Sequence, residues 1–338
     1  MRMVDRWRAD NEAQELFSLT ARVRAVIIGG AVGDALGVPY EFRPRDTFVA
    51  TDMVGYGTYN QPEGSWSDDT SLTLCLVENF IEEGELPSLY GKFLDYKKTG
   101  KWTPYGKCFD MGSTTLLALR RYEAGIPIGL CGGDSEMDNG NGALMRISPV
   151  MFAVLYNKDF QYLINMVRKY SGVTHRHPRS VLGCVIYVFF LKRLFLHEDF
   201  DRALSMTVEF CHTNIEDEDL RKEFPRYHRI LNEEIMELTR EDIISDGYVV
   251  HSLEAALWCF ATTNSYQKAV LKAVNLGGDT DTIASLVGTL AGLKYGVKDI
   301  PKVWINQLAR IEDITELCEK FSEYCYKIKK SSNELFFY

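Results

Sequence analysis

The chain has 338 residues and a formal net charge of −9, with 46% hydrophobic and 25% charged residues. That is enough apolar material for a large folded core, and too acidic overall for a binder of phosphate backbones. Basic clusters are short, and Lys327-Ile328-Lys329-Lys330 reads as a solvated helix end, so no nucleic-acid partner is expected.

The opening residues, Met1 to Gln14, are polar and charged, which argues against a signal peptide. Residues 1–18 read as a polar N-terminal extension, disordered, docked on the fold or used to touch a partner. Residues 19–338 then form one domain. The apolar stretch 25–40 contains Asp34 and is too short to span a bilayer, and 181–195 is interrupted by Lys192 and Arg193, so no membrane association is expected. Eight cysteines include no pair separated by two residues, and several lie inside apolar runs such as Leu74-Cys75-Leu76. They read as small buried hydrophobes in a reduced, cytoplasmic protein.

Apolar residues recur at helical spacing through most of the chain. The periodicity predicts helices over 20–36, 69–83, 88–98, 113–123, 143–155, 160–171, 178–196, 200–212, 217–238, 251–262, 265–275, 281–294 and 302–329. Period-two alternation is confined to 48–54 and 248–251, which are expected to be extended. An all-α fold follows, because a parallel sheet needs strands alternating with the helices. No linker or repeat divides the chain. The Gly-, Asp- and Asn-rich stretch 125–142 reads as a functional loop.

Two acidic clusters stand directly before predicted helices: Gly64-Ser65-Trp66-Ser67-Asp68-Asp69-Thr70 and Gly277-Gly278-Asp279-Thr280-Asp281-Thr282. Helix capping explains one such residue, or two in a capping box. Adjacent carboxylates flanked by hydroxyls go further, and like charges packed so closely call for a cation. Hard divalent ions take such oxygen sets, and two clusters brought together can hold two ions. On pattern alone, capping and metal binding stand equal.

Gly29, Gly33 and Gly37 fall four apart, on one helix face, where close helix packing is the first explanation and ligand contact the second. The spacing is not the dinucleotide GxGxxG. The loop Asp138-Asn139-Gly140-Asn141-Gly142-Ala143-Leu144-Met145-Arg146 is either an ordinary Asn-Gly turn or a phosphate cradle. His175 and His177 flank Arg176 before Pro178, a residue suited to a first helical turn. Metalloprotease HExxH, Gly-x-Ser-x-Gly and P-loop motifs are absent from the sequence.

In order along the chain come Gly33-Asp34-Ala35-Leu36-Gly37 with Glu41, Ser67-Asp68-Asp69-Thr70, Asp110-Met111-Gly112-Ser113-Thr114-Thr115, Asn141-Gly142-Ala143-Leu144-Met145-Arg146, Thr174-His175 and Gly277-Gly278-Asp279-Thr280-Asp281-Thr282. Together they resemble the ADP-ribosylglycohydrolase family, the group that includes the dinitrogenase-reductase-activating glycohydrolase. The resemblance implies an orthogonal all-α fold with two Mg²⁺ ions per site, Mn²⁺ being the alternative. By motif, Ser67, Asp68, Asp69, Asp279, Asp281 and Thr282 are the implied metal ligands. Many members have Thr where this chain has Ser67, and either residue offers a hydroxyl. Asp110 is implied as acid/base beside the ribose, Glu41 as a glutamate that gates or assists the reaction, and Asp69 as a further proton carrier. Asn141, Gly142, Ala143, Met145 and His175 are the implied ADP-ribose contacts, and Asp34 the buttress behind the metal ligands.

The reaction so implied is hydrolysis of the bond between ADP-ribose and a protein side chain, arginine first and serine second, through an oxocarbenium-like transition state. The expected partner is an ADP-ribosylated protein. A reading of another class is an immunity protein that binds and occludes an ADP-ribosyltransferase toxin through residues 1–18, with or without hydrolysis.

Overall fold

The structure, a computed structural model, describes residues 3–334. The two ends of the expected ranges, 1–2 and 335–338, lie outside those residues. Eleven helices of nine or more residues carry the described fold: α1 (Met3–Gly37), α2 (Asp68–Ile81), α3 (Leu86–Thr99), α4 (Ser113–Glu123), α5 (Phe160–Ser171), α6 (Pro178–Phe195), α7 (Phe200–Asn214), α8 (Val249–Ala261), α9 (Tyr266–Val274), α10 (Thr280–Tyr295) and α11 (Ile311–Glu334). Shorter helical turns and loops join them, and among the described residues there is no sheet. The all-α expectation holds.

The centre of the molecule is the pair α1 and α10. Their backbones meet without intervening side chains: a Cβ placed on Gly33 would lie 2.0 Å from the Ala284 carbonyl oxygen, and one on Gly29 2.5 Å from that of Gly288. On Gly37 it would fall 2.3 Å from the Asp281 Cα. The Thr280 hydroxyl donates to the Gly37 carbonyl at 2.8 Å, and the Tyr266 hydroxyl to that of Gly29. The glycines thus serve close helix packing. α6, apolar on nearly all sides, is buried along most of its length, as a helix with neighbours on every face must be.

Four expectations need correction. Residues 48–54 and 248–251 are not strands. Tyr248 makes only an isolated bridge with Gly140, and it then starts α8. The run expected as one helix over 302–329 breaks at Leu308–Arg310, where Arg310 adopts φ 50°, and the 217–238 stretch divides into short turns. The expected helix over 143–155 divides likewise, into a 3₁₀ turn at Leu144–Arg146 and a short helix at Pro149–Val154.

Residues from Met3 onward continue α1 without a break at 18. Polar composition hid this segment because its support comes from another helix: Glu12 pairs with Lys330 and Glu15 with Lys329 of α11. The apolar stretch is correspondingly longer than expected. Glu12–Tyr40 passes the length and composition test for a membrane span, but 61% of its apolar window is buried against the rest of the protein.

Candidate active site

Asp34, fully buried on α1, organises the first acidic cluster. Its carboxylate accepts from the Ser67 amide at 2.9 Å, the Thr70 amide at 3.0 Å and the Thr70 hydroxyl at 2.6 Å. A side chain from α1 therefore ties down the start of α2. Ser67 is the N-cap of α2 and its Oγ accepts from the Asp69 amide, so the capping explanation is correct for Ser67. It does not account for the carboxylates that follow.

The second cluster arrives from α10. The backbones of Arg43 and Gly278 exchange contacts (Phe42 N–H to Gly278 O, 2.7 Å; Gly278 N–H to Arg43 O, 2.9 Å), which holds the Glu41 segment against it. The clusters meet at Asp69 Oδ2, which accepts from Ser67 Oγ and from Thr282 Oγ1, each at 3.2 Å. Asp69 and Thr282 line a cleft of about 400 Å³ with Glu41, Asp68, Asp110, Asp279 and Asp281. Glu41, Asp110 and Asp281 can place one carboxylate oxygen each within 4.8 Å of one another.

Six carboxylates thus share one cleft, and among the described residues no Lys or Arg lines it. Burial, and then repulsion between neighbours, pushes Asp68, Asp69 and Asp281 well above the usual carboxylate range. Burial, helped by Asp110, takes Glu41 to about 8. Three of the oxygens, Glu41 Oε2, Asp69 Oδ1 and Asp281 Oδ2, are buried without a hydrogen-bond partner. Unpaired buried acceptors are costly, and a missing cation is the simplest common partner for three of them. The donor set is all hard oxygen, which suits Mg²⁺ or a similar ion.

The opposite wall carries donors. α4 begins at Ser113 with Gly112 as N-cap and no side-chain cap, so its first amides face the cleft. Thr115 Oγ1 is buried there without a partner. His175 lies beside Gly140 and Gly142. Burial, reinforced by nearby Arg146, drives its pKa down to about 3, so the ring is neutral at physiological pH. Arg146 Nη2 donates to Thr174 Oγ1 at 2.8 Å, and that hydroxyl sits 2.8 Å from His175 Nδ1. The hydroxyl thus links the buried guanidinium to the imidazole and holds the ring in place.

Most of the residues expected from sequence converge here, with exceptions. Asn141, Gly142 and Met145 line the cleft, but Ala143 is buried behind it. The Asn141 amide is engaged by Asp279 (2.7 Å) and Ser252 (2.9 Å), so it holds Asp279 in place. Ser67 does not line the cleft and acts through Asp69. Sequence reasoning passed over Phe42, Tyr59 and Gly247. Only its place directly after Glu41 signalled Phe42, and nothing local marks Tyr59.

The chain is similar to known proteins along most of its length. The ADP-ribosylglycohydrolase family profile matches residues 17–330. The chain belongs to the ADP-ribosylglycohydrolase family. Within that family it is 34% identical over 304 residues to the ADP-ribosylarginine hydrolase Tri1 of Serratia proteamaculans, covering 88% of this chain and 78% of that protein. It is 28% identical over 300 residues to the ADP-ribosyl-[dinitrogen reductase] glycohydrolase of Rhodospirillum rubrum, covering 86% and 91%. A solved structure titled as an ADP-ribosylglycohydrolase-related protein complex superimposes with a TM-score of 0.75 at 28% identity, covering 92% of this chain and 99% of the other. ADP-ribosylglycohydrolase is therefore the enzyme class of this protein.

Proposed function

We propose that this enzyme removes ADP-ribose from arginine side chains of proteins, reversing mono-ADP-ribosylation, with two Mg²⁺ ions per site (Mn²⁺ as substitute) and in the reduced setting of the cytoplasm. The observation that carries the metal requirement is the set of three buried, unpaired carboxylate oxygens in a cleft without cations. Asp68, Asp69, Asp279, Asp281 and Thr282 would hold the ions, with Ser67 and Asp34 fixing the ligands from behind. When bound, Mg²⁺ supplies positive charge to offset the carboxylates and Lewis acidity toward ribose oxygens. Arginine is preferred to serine as the acceptor because the Tri1 relatives from Serratia proteamaculans and Pseudomonas putida are named ADP-ribosylarginine hydrolases.

The two walls orient the substrate. The diphosphate goes to the uncapped N-terminus of α4 and the Thr115 hydroxyl, where amide donors and the helix dipole favour an anion. The neutral His175 ring adds a polar contact beside Gly142. The anomeric carbon then faces Asp110 and Glu41. Asp110 takes the proton of the attacking water as the new C–O bond forms. As the C–N bond breaks, Glu41 delivers a proton to the departing guanidine nitrogen.

An occluding role for residues 1–18 has less support, since Glu12 and Glu15 are engaged with α11. The decisive assay incubates the protein with an ADP-ribosylated arginine protein in Mg²⁺ or chelator and follows free ADP-ribose. Release that needs the ion is expected. Prolonged incubation with no release, after calorimetry has shown the ion bound, would refute the activity. No ion binding would refute the metal site.

A further inference from the structure

We infer that Phe42, Tyr59 and Phe109 form an aromatic wall that receives the guanidinium of the ADP-ribosylated arginine, so that this edge of the cleft selects the linkage to be opened. The inference deepens the activity proposed above and rests on it.

Phe42 lines the cleft, yet its side chain is 68% exposed, among the most exposed large hydrophobics in the described chain. Its backbone has φ 62°, a left-handed conformation that is strained for a bulky residue. The strain is held by the Phe42 N–H to Gly278 O bond and by Gly278 N–H to Arg43 O. Those bonds run to the loop of the second acidic cluster, so the ring keeps a fixed place relative to the carboxylates. An apolar ring held in water by a strained, doubly bonded backbone points to a partner that covers it.

The neighbouring rings say what kind. Phe42 and Tyr59 meet with centroids 6.5 Å apart, and Tyr59 and Phe109 at 5.2 Å. The Tyr59 hydroxyl interacts with the Glu41 and Asp110 carboxyls, so the aromatic row leads toward the acid pair. Ring faces backed by carboxylates match a flat, delocalised cation that stacks and donates in one plane. A phosphate or a neutral hydroxyl acceptor would gain little there. The nearest arginine, Arg43, does not occupy the wall, because it stacks on Tyr40 and Phe48 instead.

The substrate's own charges agree. Its diphosphate is anionic and its acceptor end cationic, while the cleft has the first turn of α4 with the Thr115 hydroxyl at one end and the Phe42 ring, backed by Tyr59 and Phe109, with carboxylates at the other. Each end of the substrate meets its electrostatic complement.

The test is steady-state hydrolysis of an ADP-ribosylarginine peptide by the Mg²⁺-loaded full chain, with ADP-ribose as competitive inhibitor. Phe42→Ala removes an exposed ring and leaves the core intact. KM is expected to rise about five- to thirtyfold, from the range of cation–π contributions, with kcat moved less. The ADP-ribose inhibition constant should stay within about twofold, since free ADP-ribose carries no guanidinium and its affinity tracks only the other wall. Phe42→Tyr should restore KM. An unchanged KM in Phe42→Ala would overturn the wall. So would an inhibition constant rising in step with KM, since the ring would then touch ADP-ribose. If the wild-type protein releases no ADP-ribose, the underlying activity fails and this inference with it. Release with an insensitive Phe42→Ala removes this inference alone.

Discussion

Asp281 and Asp69 show what a single carboxylate does in this cleft. Each keeps one oxygen buried and unpaired and is pushed toward protonation by burial and neighbouring acids. In metal-free protein that arrangement opposes folding; with a bound cation it becomes the source of affinity. Asp281→Asn should therefore melt, without divalent ion, at or above the wild-type temperature. Added Mg²⁺ should then no longer raise its midpoint, and turnover should drop about a hundredfold or more. A metal-free variant less stable than wild type would contradict this account. At the other wall, Thr174→Val removes the hydroxyl between Arg146 and His175 and leaves a buried guanidinium N–H unpaired. A loss of about 1–3 kcal/mol in stability is expected from denaturant unfolding, with a raised KM because the His175 ring loses the hydroxyl that holds it.

At the scale of elements, the site depends on how closely α1 and α10 approach. Gly33→Ala would set a methyl carbon 2.0 Å from a backbone oxygen that cannot swing aside. The helices must separate, at about 1–3 kcal/mol, and Asp281 must move away from Asp69 with them. Calorimetry should show weaker Mg²⁺ binding although no ligand has changed. Unaltered affinity in a destabilised Gly33→Ala protein would mean that the contact supports the fold alone. The helix spacing Gly29, Gly33, Gly37 was legible in the sequence because a four-residue period has one geometric meaning. The acidic clusters were legible as helix starts, while pattern alone left capping and metal binding equal there, because both use carboxylates in a first turn. Nothing local announced the breaks at 308–310 or the helical course of residues 3–18. Those depend on partners far along the chain, such as Lys329 and Lys330. The aromatic wall was hidden for the same reason: residues 42, 59 and 109 share no motif, and only the folded chain puts them side by side.

For the whole molecule, the opposed titrations set a pH dependence. Glu41 is raised to about 8 by burial, so the stability tied to its neutral form is complete below its ordinary value near 4.5 and is lost as pH rises through 8. His175 is depressed to about 3, so the stability tied to its neutral ring is present above about 6.5 and falls away toward pH 3. Without divalent ion, the melting temperature should therefore fall from pH 6.5 to 8.5. The Mg²⁺-induced increase should grow over that interval, because binding needs the carboxylates deprotonated. Scanning calorimetry at several pH values checks both, and an Mg²⁺ effect independent of pH would argue that the ion binds elsewhere.

Asp69 and Thr282 touch across 213 positions of sequence. During synthesis the first acidic cluster leaves the ribosome long before the second exists, so an ion has no complete set of ligands until α10 has been made and has closed on α1. Loop closure over such a separation is slow and comes late in folding. An ion held by both clusters would therefore have no part in the early steps of folding, and could be captured only once α10 has closed on α1.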